Sequence, residues 1–190
     1  NDGPVAIDTG LTLSDLDNAT LTGATFAITA GFVTGQDQLA FTDQSGITGS
    51  FDGLAGVLTL SGVASVADYQ VALRSVTYQN SSDDPDVTAR TVTFTVNDGA
   101  DTDADSRGIT VTAINDAPSV TTTAAALAYT ENDGPVAIDT GLTLSDLDNA
   151  TLTGATVAIT AGFVTGQDQL AFTDQSGITG SFNGLTGVLT

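Results

Sequence analysis

Residues 1–59 return as residues 132–190 with three changes, Phe26/Val157, Asp52/Asn183 and Ala55/Thr186, so the sequence holds one period of 131 residues and the start of another. Solenoid units of about 20–50 residues share one stacked core, whereas about 130 residues can bury a core of their own. The period therefore predicts whole domains copied in tandem. The stretch NDAPSVTTTAAALAYTE (115–131), which leads into the second copy, has no counterpart ahead of Asn1. The expected organisation is a repeat over 1–114 that lacks its first strand, a linker at 115–118, and the N-terminal part of a second, near-identical repeat over 119–190.

Within the period, apolar residues alternate with a spacing of two between Gly and Asn-Asp breaks, the pattern of half-buried antiparallel strands. Val5, Ile7, Leu11 and Leu13 share one face of VAIDTGLTLS; Phe26, Ile28, Ala30 and Phe32 share one of ATFAITAGF. Val92, Phe94 and Val96 do so in RTVTFTVND, as do Ile109, Val111 and Ala113 in GITVTAIND. QLAFT, ITGSF, GVLTLSG, SVTYQ and AAALAY read as further strands, and Val66, Tyr69 and Leu73 in SVADYQVALRS follow helical spacing. The expected fold is all-β: an antiparallel sandwich of about seven strands with one short helix, in tandem.

Composition removes most chemistry. The chain has no Cys, His, Met, Trp or Lys, and Arg74, Arg90 and Arg107 are its only cations. Without imidazole or thiolate there is no usual base, nucleophile or zinc site, so no enzyme is expected. A formal charge of -20 argues against nucleic acid and anionic membranes. No run of 18 apolar residues suggests membrane insertion in this segment.

Glu131 is the only Glu among 23 acids, and the Asp residues cluster. If strands alternate in direction, SDLDN (14–18, again at 145–149) and the loop NDGADTDADSRG (97–108) gather at one pole of the sandwich. NSSDDPDVTA (80–89), TENDGP (130–135) and the linker INDAP gather at the other. At the junction, Asp2, Asp83, Asp84 and Asp86 would meet Asn115 and Asp116 and then Asp146 and Asp148 of the next repeat. Two carboxylates about 6 Å apart repel by roughly 0.7 kcal/mol in bulk water and by more near a protein surface, so such a cluster calls for a cation. An oxygen-only ligand set selects Ca²⁺. The alternative is that these acids cap turns and keep a β surface soluble, which is the expected role of isolated ones such as Asp37, Asp43 and Asp68. DTDADS (101–106) begins like an EF-hand loop but places Ser106 where Gly belongs and Thr112 where Glu belongs.

ENDGP, SDLDN, DYQVALRSVTYQN, DDPDVTARTVTFTVNDG and ITVTAINDAP together resemble the cadherin-like repeats of large bacterial surface adhesins of the RTX type. The resemblance implies an Ig/cadherin-like sandwich used as a calcium-rigidified extender: secreted, displayed at the cell surface, and supporting adhesion or biofilm formation. The ligand positions it implies are Glu131, Asp15 with Asp17, Asp146 with Asp148, and Asn115 with Asp116. Asp83, Asp84 and Asp86 stand in for the Asp-Arg-Glu triplet of animal cadherins, which this chain lacks, and Asp98, Asp101 and Asp103 add to the acidic pole. The expected partners are neighbouring repeats of the same chain and, in a fibre, copies of itself. Two other readings stand beside the stalk: a filament subunit completed by donor-strand addition, and a glycan- or protein-binding module that would use Tyr69, Tyr78 or Tyr129 as its face.

Overall fold

A computed structural model of the chain describes residues 3–190; Asp2 lies outside them. The chain forms two compact units, the first running through Asn115 and the second from Asp116 to Thr190.

In the first unit Leu21, Ala24, Phe26 and Ile28 are the buried positions of β2 (Thr20–Ala30). The spacing of three between Leu21 and Ala24 breaks strict alternation, and a bulge between Leu21 and Gly23 restores the inward phase. β2 is the centre of a five-stranded antiparallel sheet ordered β4 (Thr48–Asp52), β5 (Val57–Ser65), β2, β7 (Arg90–Asn97) and β8 (Thr102–Ile109). A three-stranded antiparallel sheet ordered β1 (Val5–Ala6), β6 (Thr77–Asn80) and β3 (Asp37–Ala40) makes the second layer. Phe26, Leu58, Leu60, Val92 and Phe94 of the larger sheet share one core with Leu39 and Tyr78 of the smaller. Phe26 and Phe94 meet edge-to-face with centroids 4.7 Å apart. The fold is an all-β sandwich with one short helix.

That helix, α1 (Val66–Ser75), lies where its spacing placed it. Ser65 caps it, accepting from the Asp68 amide at 3.0 Å while its hydroxyl donates to the Asp68 carboxylate at 2.5 Å. Tyr69 and Leu73 point into the core, and Tyr69 donates its hydroxyl to the Gly62 carbonyl at 2.6 Å.

Several strands differ from the sequence reading. VAIDTGLTLS is a strand only at Val5–Ala6, with Val5 61% exposed. An Asx turn at Asp8 interrupts it, and the helix takes up the rest: Gln70 accepts from the Leu13 amide and Arg74 donates to the Leu11 carbonyl. The acid-rich stretch 97–108 is not one loop, because Thr102–Ile109 forms β8, in register with β7 throughout. An outer strand tolerates charge on its open edge, so its Asp residues do not prevent pairing. Residues 110–118 are correspondingly not a strand.

In the second unit AAALAY has no strand partner, and β9 (Ser119–Thr121) pairs instead with β10 (Thr143–Ser145). β11 (Val157–Ala158), β12 (Phe182–Asn183) and β13 (Val188–Leu189) form a small sheet. Its pairing of Val157 with Leu189 copies that of Phe26 with Leu58. Residues 132–190 repeat only 1–59, so nothing in them corresponds to β7, and the copy of β2 shortens accordingly.

Candidate functional site

The Asp clusters are built from Asx turns. Asp15 Oδ1 accepts from the amides of Asp17 at 2.9 Å and Asn18 at 2.7 Å, and Asp146 does the same for Asp148 and Asn149 at 3.0 and 2.7 Å. Asp98 Oδ1 accepts from Ala100 and Asp101, both at 2.7 Å, closing the β7–β8 hairpin. These backbone donors, Asp101 first, hold the Asp98 carboxyl below its ordinary range. The Asn18 side-chain Nδ2 donates to Asp98 Oδ2 at 2.6 Å, which brings SDLDN and the hairpin to one pole of the first unit. Asp15, Asp17, Asp98 and Asp101 share that pole, whereas Asp103 stands on β8 opposite Val96.

At the other pole Asp83, Asp84 and Asp86 occupy the β6–β7 loop. Asp84 accepts Ser82 Oγ through its carbonyl at 2.8 Å, and the Asp86 carboxylate accepts the Thr88 amide at 2.7 Å. Hydrogen bonds from Thr88, aided by the Arg90 charge, hold Asp86 below its ordinary range. Glu131 is exposed beside a turn in which the Thr130 amide donates to Asp133.

At the start of the second unit the linker meets SDLDN: the Asp116 amide donates to Asp148 Oδ2 in a short contact. Asp148 Oδ1 is enclosed and has no hydrogen-bond partner. A buried, unpartnered carboxylate oxygen is unfavourable unless a donor or cation reaches it. The all-oxygen donors of this corner suit a hard cation in chemistry. Among the described residues, however, no three acidic side chains converge closely enough to hold a metal ion.

Beneath the β6–β7 loop lies a group that the sequence reading assigned differently. Asp37, taken there as a turn-capping acid, is 4% exposed, and Arg90 beside it is wholly buried. Arg90 Nε lies 3.1 Å from Asp37 Oδ2, and Tyr78 and Asn80 donate to Asp37 Oδ1 at 2.6 and 2.9 Å. Burial would raise the Asp37 carboxyl, but the bonds from Tyr78, Arg90, Val33 and Asn80 outweigh it and hold the group low. Burial, with the Asp37 charge, pushes the Tyr78 hydroxyl up to about 12. Arg90 Nη1 also donates to the carbonyls of Asp86 and Thr88, tying the acidic loop to the core. The available signal was Arg90 itself, one of three cations, opening the apolar run of β7.

Tyr69 and Tyr78 are 0% and 9% exposed, which removes two of the three tyrosines expected to offer a glycan face; Tyr129 is 61% exposed. Among the described residues no helix is long and apolar enough to cross a membrane.

No family profile and no solved structure matches the chain. The chain is similar to halomucin of Haloquadratum walsbyi (strain DSM 16790 / HBSQ001), 39% identical over 88 residues. That stretch is 44% of this chain and 1% of halomucin, a far longer protein.

Proposed function

We propose that this chain is a non-catalytic extender segment of an extracellular surface protein, its repeats stiffened at their junctions by Ca²⁺. The tandem period and the likeness to a stretch of the much larger halomucin support a spacing role outside the cell. The observation that carries the calcium part is Asp148, whose carboxylate takes the linker amide of Asp116 on one oxygen and leaves the other enclosed and unpartnered. In this reading the ion's ligands include Asn115, Asp116, Asp146 and Asp148. Extracellular modules bind Ca²⁺ at about 10⁻⁴ to 10⁻³ M, so the joint would be stiff outside a cell and slack inside one.

Calorimetric titration with Ca²⁺ tests this reading. Millimolar-range binding should vanish in Asp146→Ala/Asp148→Ala while the far-ultraviolet β signal persists. Unchanged binding in that variant would remove these residues from the site, and loss of the β signal would assign them to the fold instead.

A further inference from the structure

The acceptor pattern for an N-linked sugar, Asn-x-Ser/Thr with x other than Pro, occurs three times in the chain: at Asn18 with Thr20, at their copies Asn149 with Thr151, and at Asn80 with Ser82. The fold treats the three differently. Asn18, Ala19 and Thr20 are all exposed, and so are their copies in the second unit. Asn18 Nδ2 donates one proton to Asp98 Oδ2 at 2.6 Å; a primary amide carries two, so one remains on an exposed nitrogen. Asn149 Nδ2 lies 3.5 Å from Asp146 Oδ1, a weaker hold. Asn80, by contrast, is gripped at both ends of its carboxamide. Its Nδ2 donates to the buried Asp37 carboxylate at 2.9 Å, and its Oδ1 accepts from the Ser82 amide at 3.0 Å. A substituent on that nitrogen would have to enter the buried group around Arg90.

We propose that Asn18 and Asn149 are sites of N-linked glycosylation and that the fold bars Asn80. The co-substrate is a glycosyl diphosphate, and the enzyme is a separate glycosyltransferase that reads the hydroxyl of Thr20 or Thr151 two residues on. In the transfer, Nδ2 forms a bond to the anomeric carbon while the bond from that carbon to the diphosphate oxygen breaks. The diphosphate leaves with the bonding pair, and one amide proton passes to a base of the transferase. The product is a secondary amide that keeps one N–H, so the bond from Asn18 to Asp98 survives the change. Because the site sits in the repeated SDLDN segment, a tandem array would carry one glycan per period, a bulky hydrated group on an exposed turn. No ion takes part, and the inference stands apart from the calcium reading.

Peptide mapping by mass spectrometry of the full chain, recovered from the cells that make it and from their medium, reads the outcome at each asparagine. Sugar mass is expected on the peptides of Asn18 and Asn149, which Phe26 and Val157 distinguish, and none on that of Asn80. Thr20→Ala should remove the mass at Asn18 and leave it at Asn149, whereas Thr20→Ser should keep both. Thr20 is exposed, so neither change disturbs the core. Unmodified Asn18 and Asn149 would overturn the proposal, as would sugar on Asn18 that survives Thr20→Ala. Sugar on Asn80 to the same extent as on Asn18 would overturn the selection by the fold.

Discussion

Arg90 is the residue on which the β6–β7 loop depends. Its guanidinium is buried between the Asp37 carboxylate and the carbonyls of Asp86 and Thr88, and removing it would strand a buried negative charge. Arg90→Ala should destabilise the first unit by about 3–5 kcal/mol, read from urea unfolding. Asp37 sets the response to acid. Its folded carboxyl titrates below the ordinary 3.8, so the stability it contributes is present above that value and is lost as pH falls through the folded one. Urea midpoints at pH 7, 4 and 3 should therefore fall below pH 4, and Asp37→Asn should flatten the fall while lowering stability at pH 7. Gly62 is fixed by sterics. Its φ is 141°, and a Cβ there would collide with the Gly46 carbonyl oxygen.

At the scale of elements, the two copies separate what is local from what is not. The Asx turns at Asp8 and Asp15 recur at Asp139 and Asp146, and the bonds by which the Asp37 and Asp43 carboxylates accept the Val33 and Gly49 amides recur at Asp168 with Val164 and at Asp174 with Gly180. Those turns close within a few residues and are legible in sequence. The strands are not local: Thr20–Ala30 is an eleven-residue strand between β5 and β7, while its copy is a strand only at Val157–Ala158, beside β13. Ile47 is wholly buried and its copy Ile178 is 61% exposed. β propensity describes fit to a partner, and alternation alone could not say which partner is present. For the same reason the helix, held by its own cap, is legible over 65–75, whereas the acidity of β8 reads as a loop and the charge of Asp37 as a surface acid. Of the candidate site, the meeting of SDLDN with the 97–101 turn and the nearness of Asp116 to Asp148 are both expectations of the strand and junction reading, whereas the bond from the Asp116 amide to the Asp148 carboxylate is a detail of side-chain geometry that residue order does not carry. Hydrogen exchange on the 190-residue chain, at concentrations too low for self-association, should find amides of 24–28 protected and those of 155–159 at least about 100-fold faster. Phe26 and Val157 make the two peptides distinguishable by mass. Equal protection would contradict partner-dependent strands.

Charge acts at the scale of the whole molecule. With 23 acids against three arginines, the folded chain repels itself, and the repulsion is screened as the Debye length shortens from about 10 Å at 0.1 M salt to about 3 Å at 1 M. Raising NaCl over that range should raise the thermal midpoint by a few degrees; a falling midpoint would mean that its ion pairs, such as that of Arg107 with Asp8 at 2.8 Å, outweigh the repulsion. Calcium is set apart from general screening by its concentration, since the proposed site would fill at millimolar levels that barely change ionic strength. The most direct measurement is the thermal midpoint and hydrodynamic radius of the chain at constant ionic strength, in excess EDTA and in millimolar Ca²⁺. The calcium-stiffened extender predicts a higher midpoint and a larger radius with calcium. Identical values in the two buffers would contradict it.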